Sequence, residues 1–356
     1  VVEVRPVFWR AGATAPSLGS RRARPELPHA VASTMQTRAT VSAAAGRDMR
    51  IDERLGGPPA RRGPGTAGSV PPMADRCLLS VHAHPDDEAS KGASTVARYK
   101  SAGVRAVLVT CTGGEEGDIL NPVMDTPEVR ADLHGVRMRE LERAAALIGY
   151  DEVVLLGYRD SGMPGSEANA RPDAFANAPL DEAVARLVAI IRAERPQVIL
   201  TYGDDQQGYP HPDHLMVHDI SMPAFDLAGD PEYRPDLGAP FAPSKMYWNV
   251  WSRERMVAMH ETFLELGLES PFGEDWFSRP SHDDRITTRI DIADWFDVRL
   301  DALLTHATQV DPDSAFWFGL PRDIARTVHP WEEFILGRSR VDTTVPETDL
   351  FAGIDA

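Results

Sequence analysis

Residues 77–112, CLLSVHAHPDDEASKGASTVARYKSAGVRAVLVTCT, contain the pattern from which the architecture of the chain follows. The stretch begins and ends with apolar runs, at 77–83 and 105–112, which are typical of strands buried on both faces of a sheet. Between them, residues 87–103 have the pattern of a helix that ends at Gly103. A strand, a helix and a second strand in this order predict a right-handed crossover between parallel strands.

The same alternation of helices and strands continues along the chain. The later predictions are a helix from about Val129 to Ile148, a strand at 152–158, a helix at 180–196, a strand at 197–203, a further strand at 244–251 and a helix at 253–267. We therefore predict the α/β class, with a Rossmann-like, doubly wound, mostly parallel sheet and helices on both faces. The aromatic and Pro-rich C-terminal end is expected to pack on this core.

Charge and composition divide the 356 residues into two parts. Residues 1–74 carry 11 Arg and 5 acidic residues, whereas the whole chain has a net charge of −17. We interpret 1–74 as a disordered, basic, Arg/Pro/Gly-rich extension and 75–356 as one folded domain. Met73 directly precedes the first strand, which favours an over-extended start of translation over a basic targeting arm, because no amphipathic face is visible.

The composition also excludes several classes of function. The strong negative charge argues against nucleic-acid and anionic-membrane partners. No apolar stretch reaches the roughly 20 residues of a transmembrane helix, and no signal-peptide core is present. Two cysteines suit a reducing compartment, so we expect a cytoplasmic protein. Cys77 and Cys111 lie in apolar runs and are expected to be small buried hydrophobes.

Two loops that follow predicted strands are rich in ligand-type side chains. HPDDE, residues 84–88, follows the first strand, and GYPHPDH, residues 208–214, follows the fourth. In open α/β sheets, ligands bind beyond the carboxyl ends of the strands, so both loops are expected at one edge. Two histidines and one aspartate satisfy the ligand count of a catalytic zinc site, and a further carboxylate beside the metal can serve as the base, so the sequence predicts metal binding here. Helix capping and turn formation are the structural alternatives for either loop alone.

These paired motifs resemble the LmbE-like/PIG-L superfamily of zinc-dependent N-deacetylases and amidases, which act on N-acylated glucosaminyl compounds. The resemblance extends from about residue 76 to the C-terminus, is weakest at residues 165–178 and has no counterpart in residues 1–74. Within the superfamily, the chain most resembles the amidases of mycothiol S-conjugates. That resemblance rests on VHAHPDDEASKGA, TGGEEGDILNP, GYRDSGMP, GYPHPDH, HATQVDPDSAF and ETDLFAGI.

The resemblance implies a role for each matching residue. The implied zinc ligands are His84, Asp87 and His214, and Fe(II) accepts the same ligand set. Asp86 would be the general base, with Glu88 the next candidate. His211 would protonate the leaving amine or stabilise the oxyanion, and Asp213 would orient the ring of His211. Tyr209 would assist in stabilising the oxyanion. The implied substrate-binding residues are Arg137 and Asp160, for the sugar, and Lys91, at a position typical of the conjugate amidases.

Several of these residues also have plainer interpretations. Arg137 lies on the apolar stripe of its helix, so it needs either a ligand or an internal salt bridge. Asp160 has the alternative of a turn or cap residue, and Lys91 that of an exposed lysine. His82 is interpreted as a core residue or a neighbour of the ligands. His218, four residues after His214, is a conceivable ligand that ranks below His84.

The sequence therefore predicts hydrolysis of the amide in a mycothiol S-conjugate, a detoxification reaction. The products would be a mercapturic acid derivative and glucosaminyl-inositol. Deacetylation of N-acetylglucosaminyl-inositol is the alternative with the same chemistry. A metal- or sugar-binding module without turnover is the alternative of another class, and it would have no need of Asp86. Nucleotide binding is disfavoured, because no G-x-G-x-x-G opens the first helix.

Overall fold

The computed structural model describes residues 3–6, 75–206 and 209–355. Its strands are β1 (Glu3–Pro6), β2 (Cys77–His82), β3 (Arg105–Thr112), β4 (Glu152–Tyr158), β5 (Val198–Tyr202), β6 (Lys245–Val250), β7 (Thr288–Asp291) and β8 (Trp331–Ser339). Within these ranges they form one sheet in the order β1-β4-β3-β2-β5-β6-β8-β7. The pairs from β1 to β6 are parallel, and β8 pairs antiparallel with both β6 and β7.

Helices cover both faces of this sheet. They are α1 (Asp87–Ser90), α2 (Ala93–Ser101), α3 (Pro127–Ala131), α4 (Leu133–Ile148), α5 (Leu180–Glu194), α6 (Pro212–Leu227), α7 (Arg253–Glu265), α8 (Glu274–Phe277), α9 (Phe296–Thr305), α10 (Ala315–Phe318) and α11 (Arg322–Val328). Among the described residues, none of these helices combines the length and the apolar character that crossing a bilayer requires.

The core consists of two apolar layers that share the central strands. Leu79 and Val81 of β2 point to the layer formed with α5 and α6, whereas Leu78 points to the layer formed with α2, α4 and α9. Successive side chains of a strand alternate between faces, so a strand covered on both sides is expected to be mainly apolar. This confirms the predicted fold class. Cys77 and Cys111 are buried free thiols, as expected.

Several predicted elements differ in their bounds. The single helix predicted at 87–103 is wrong: Lys91 has an extended backbone and Gly92 has φ +91°, so α1 and α2 are separate. The helix predicted from Val129 starts earlier and is interrupted at Asp132, with φ −134°. The C-terminal end also contains β7 and β8, which sequence patterns did not predict.

Four residues of the N-terminal segment belong to the sheet. Glu3–Pro6 pair in parallel with β4, whose edge supplies the backbone partners that composition does not reveal, and the disordered extension over 1–74 stays a prediction. The rest of that segment lies outside the described residues, and the domain boundary at residue 75 stays a prediction.

The chain changes direction within the sheet between β2 and β5. From β2 it runs outward through β3 to β4, and it then returns to β5 and β6 on the other side of β2. This is a topological switch point, where the loops after two adjacent parallel strands separate and leave a crevice. The loops after β2 and β5 are those that carry the two histidine-rich motifs.

Candidate metal centre and active site

Three predicted ligand side chains converge in the crevice. Asp87 Oδ2 lies 3.4 Å from Nδ1 of His84 and 3.5 Å from Nε2 of His214. All three residues are buried, and their ligand atoms lie within 4.8 Å of one another. Ligands about 2.0–2.1 Å from a tetrahedral ion are separated by about 3.3–3.4 Å, so the spacing fits a metal such as zinc. The group could therefore hold a metal ion.

The second carboxylate oxygen of Asp87 has a different partner. Lys91 donates to Asp87 Oδ1 at 2.6 Å, while the backbone N–H of His84 donates to Oδ2 at 2.9 Å. One oxygen thus faces the histidines and the other faces the lysine, so the ion pair and a metal do not compete for the same atom. The exposed-lysine interpretation of Lys91 is wrong, because its side chain is largely buried against this carboxylate.

The other ring nitrogen of His84 faces two more carboxylates. Nε2 lies 3.1 Å from Asp213 and 3.6 Å from Asp160. Metal-binding histidines commonly donate their second N–H to a carboxylate, which fixes the ring and its tautomer. Asp160, for which sugar binding stays a prediction, lies within contact distance of His84 and also lines the cavity. His84, Asp160 and His211 also form a second compact group of ligand-type atoms.

These carboxylates set the local electrostatics. Burial alone would lower the pKa of His84, but hydrogen bonds with Asp160, Asp213 and Asp87 raise it well above the usual value. Burial would raise the pKa of Asp87, yet Lys91 and His214 hold it well below its usual range. Burial lowers the pKa of His214 to about 3. The carboxylates around His84 give this part of the site an excess of negative charge, which favours a bound cation. The lowered pKa of His214 keeps its ring neutral, so a ring nitrogen retains the lone pair that can bind this cation.

The start of α6 places His211, Asp213 and His214 together. His211 is the N-cap of α6, and its Nδ1 accepts from the backbone N–H of Asp213 at 3.2 Å. Pro212 follows as the first helical residue, a position that suits its fixed φ. Asp213, which is predicted to orient the ring of His211, contacts that ring through this backbone N–H, whereas its carboxylate accepts from Ser161 and faces His84. The catalytic role of Asp213 stays a prediction.

Asp86, the predicted base, is held by a buried arginine. Nη2 of Arg137 lies 3.1 Å from Asp86 and donates to the carbonyl of Pro85 at 2.5 Å. Its Nη1 donates to the carbonyl of Gly114 at 2.5 Å. Gly114 has φ +67°, and a Cβ there would lie 2.3 Å from Arg137 Cζ, so only glycine permits this approach. Arg137 thus forms an internal ion pair, which was the alternative to a ligand contact, and it also lines the cavity of the candidate site.

Glu88 is buried rather than available to substrate. Its Oε1 lies 2.5 Å from Nε2 of His306, and its Oε2 accepts from the backbone N–H of Asp86 at 2.9 Å. Both Glu88 and His306 are completely buried. Burial would raise the pKa of Glu88, but His306 lowers it below its usual value. Glu88 is therefore placed to support the loop, and Asp86, which is partly exposed, faces the cavity.

The remaining predicted residues surround this centre. Tyr209 is half exposed, with its ring 5.7 Å from that of His214. His218 contacts the carbonyl of Tyr202 and lies outside both groups of ligand-type atoms. His82 is fully buried, and its ring nitrogens have no hydrogen-bond partner among the residues that the structure describes. Burial lowers the pKa of His82 to about 4, which is consistent with a neutral core residue.

Sequence reasoning missed four contributions to the site. Tyr202 stacks on His214 at 4.5 Å, Ser161 binds Asp213, and His306 binds Glu88. The fourth is a set of aromatic residues from the C-terminal half, which lines the same cavity of about 640 Å³. The position of Tyr202 at the end of a strand was a usable signal. Ser161, His306 and the aromatic residues lie in other segments, and no sequence periodicity relates those segments to the two histidine-rich loops.

The fold and the site together define a class of enzyme. Buried histidines, paired carboxylates and an open cavity lie at the switch point of a mostly parallel sheet. A candidate base beside a group of metal-ligand type, on a sheet of the α/β class, is the arrangement of a metal-assisted hydrolase.

Comparisons with known proteins identify the family. The model of the PIG-L family, described as GlcNAc-PI de-N-acetylase, matches residues 79–225. The mycothiol S-conjugate amidase of Streptomyces coelicolor is 46% identical over 287 residues, which cover 78% of this chain and 97% of that protein. The 1D-myo-inositol 2-acetamido-2-deoxy-alpha-D-glucopyranoside deacetylase of Streptomyces avermitilis is 40% identical over 296 residues, covering 79% and 98%. The chain belongs to the PIG-L family and is a hydrolase.

A solved structure supports the fold independently. The N,N'-diacetylchitobiose deacetylase of Pyrococcus horikoshii superposes with a TM-score of 0.51 at 18% identity, covering 73% of this chain and 83% of that one. At this identity the likeness concerns the fold alone.

Proposed function

We propose that this chain is a zinc-dependent amidase that hydrolyses the amide of mycothiol S-conjugates. The products would be a mercapturic acid derivative and glucosaminyl-inositol. The observation that carries the proposal is the 46% identity to the Streptomyces coelicolor amidase across 97% of its length. The cytoplasmic location and the lack of nucleic-acid and membrane partners stay predictions.

The metal would be held by His84 Nδ1, Asp87 Oδ2 and His214 Nε2, whose spacing fits zinc. When bound, zinc supplies a Lewis acid that polarises the amide carbonyl and favours ionisation of water. Asp213 supports this ligand set through Nε2 of His84. Fe(II) accepts the same ligands, and metal analysis of the purified protein distinguishes the two.

Asp86 is proposed to take the proton from the attacking water. Its carboxylate lines the cavity, next in sequence to the ligand Asp87. The ion pair with Arg137 fixes one carboxylate oxygen, so the other can accept the proton in a defined direction. A binding module without turnover would have no use for this second carboxylate.

His211 is proposed to donate a hydrogen bond to the oxyanion. Because its Nδ1 accepts from the backbone of Asp213, the neutral ring carries its proton on Nε2. That nitrogen is then a donor, and Tyr209 provides a second one from the exposed rim. The amine that leaves takes up the proton that Asp86 removed from water, which balances the hydrolysis.

Arg137, Asp160 and Lys91 are proposed to contact the substrate, since all three line the cavity. Each already has protein partners, so contacts with substrate would be additional to the ion pairs described above. Within the described residues, Nε of Arg137 is buried without a hydrogen-bond partner. Lys91 is proposed to lie on the acyl side, because it borders the loop that carries Asp86 and Asp87.

Deacetylation of N-acetylglucosaminyl-inositol is the second candidate, favoured by the 40% identity to the Streptomyces avermitilis deacetylase. The test is an assay of the purified protein on a mycothiol conjugate and on N-acetylglucosaminyl-inositol side by side. A higher kcat/KM for the conjugate is expected. A clear preference for the acetyl compound would replace the proposal with the deacetylase, and no turnover of either would favour a binding module.

A further inference from the structure

One side of the cavity is covered by aromatic rings that the catalytic proposal does not use. We call these residues the aromatic wall: Trp251, Trp276, Phe277, Phe316 and Trp317. Phe316 is central, because it stacks on Trp251 at 5.6 Å with an interplanar angle of 6° and on Trp276 at 5.4 Å. It also meets Trp317 edge to face at 4.7 Å. The wall is thus a continuous, partly exposed apolar surface.

Three guanidinium groups pack on these rings. Arg255 and Arg299 lie over Trp251 at 4.6 and 5.0 Å from its centroid, and Arg279 lies over Trp276 at 4.1 Å. Cation–π contacts of this kind hold the rings in place. Arg279 itself also lines the cavity.

The topology places the wall within reach of the candidate metal centre. Trp251 directly follows β6, and β6 pairs in parallel with β5, which pairs in parallel with β2. Two strand spacings separate the loop after β2 from the loop after β6, which is roughly 10 Å. In an S-substituted cysteinyl amide, the sulfur is three bonds from the carbonyl carbon, or about 4 Å. A substituent on sulfur therefore extends over the distance to the wall.

We infer that the aromatic wall is the binding subsite for the S-substituent and that it selects flat aromatic groups. This inference rests on the proposed function, since it concerns the acyl side of that substrate. An acetyl group is too short to reach the wall, so the wall contributes only to cleavage of conjugates. Stacking on rings held from behind favours a planar group over a small alkyl group.

The test compares three amides on the wild-type enzyme and on Trp276→Ala: the S-benzyl conjugate, the S-methyl conjugate and N-acetylglucosaminyl-inositol. We expect Trp276→Ala to lower kcat/KM for the benzyl conjugate about tenfold, as for loss of an aromatic contact. The values for the other two amides should change less than about twofold. Trp295→Ala is the matched control, because Trp295 packs under Arg98 and is absent from the described lining of the cavity. It should leave all three values unchanged.

Equal losses on all three amides, or no loss on the benzyl conjugate, would overturn the inference. If Trp276→Ala does not fold, Trp276→Leu replaces the ring face with apolar volume and answers the same question. The proposed function fails separately, if the wild-type enzyme cleaves neither conjugate. In that case calorimetric binding of the benzyl and methyl conjugates to the same proteins still tests the wall, and equal affinities would overturn it.

Discussion

Replacing His306 with alanine should weaken both the stability and the activity of the protein. Glu88 is completely buried, and its Oε1 lies 2.5 Å from Nε2 of His306. Removing one partner of a buried ion pair leaves a charge without compensation, at a cost of about 3–5 kcal/mol in the free energy of unfolding. At about 2 °C per kcal/mol for a domain of this size, the midpoint of thermal unfolding should fall by about 6–10 °C.

The loss of activity follows from the backbone of Asp86. Asp86 has φ +113°, a conformation that non-glycine residues rarely adopt and that persists only where the surroundings hold it. Glu88 Oε2 accepts from the N–H of Asp86 at 2.9 Å, so displacement of Glu88 releases this constraint. A shift of about 1 Å in a catalytic group lowers the rate by as much as a hundredfold, so we expect kcat to fall about tenfold to a hundredfold. Metal content should change little, since His306 is not among the ligands.

The measurements are thermal unfolding by circular dichroism and kcat on the preferred amide. Lys245→Met is the matched control, because Lys245 and Glu347 form a buried pair at 2.5 Å between β6 and the C-terminal segment. The control should lose a similar amount of stability and keep its kcat. An unchanged unfolding midpoint for His306→Ala, or an equal loss of kcat in the control, would refute this account of the Glu88–His306 pair.

Three further predictions concern the proposed chemistry. Purified protein should contain about one divalent ion per chain, and His214→Ala should lose it; full metal occupancy in that variant would show that the ligand assignment is wrong. Asp86→Asn should keep the metal and lower kcat by about two to four orders of magnitude, whereas near-normal turnover would place the base elsewhere. Lys91→Ala should lower kcat/KM about tenfold to a hundredfold for the conjugate and less for N-acetylglucosaminyl-inositol. Equal losses on both substrates would mean that Lys91 acts through its ion pair with Asp87.

The sequence was most informative where chemistry and local pattern coincide. Apolar runs of strand length can only be buried on both faces, so they indicated a parallel sheet and its carboxyl-end edge. The two histidine-rich loops were expected at that edge, and His84, Asp87 and His214 do converge there. Their role as metal ligands stays a prediction, because proximity alone does not show a bound ion.

Side-chain direction within those loops could not be read from the sequence. Asp213 was predicted to orient the ring of His211, and its backbone N–H does contact that ring, but its carboxylate faces His84 and Ser161. The N-cap geometry of α6 decides this, since the ring of His211 takes the backbone N–H. Arg137 was left between a ligand contact and a salt bridge. Its partners, Asp86 and two loop carbonyls, depend on how closely Gly114 lets the guanidinium approach.

Sequence patterns established the class of fold, the edge of the sheet that carries the site and the residue types gathered there, because all three follow from local periodicity and from the known rules of parallel sheets. The Glu88–His306 pair and the aromatic wall required the folded chain. Glu88 and His306 are separated by 218 positions, and the rings of the wall come from a loop and two short helices with no shared period. Contacts between such segments are selected by the packing of the whole domain, which no short window of sequence contains.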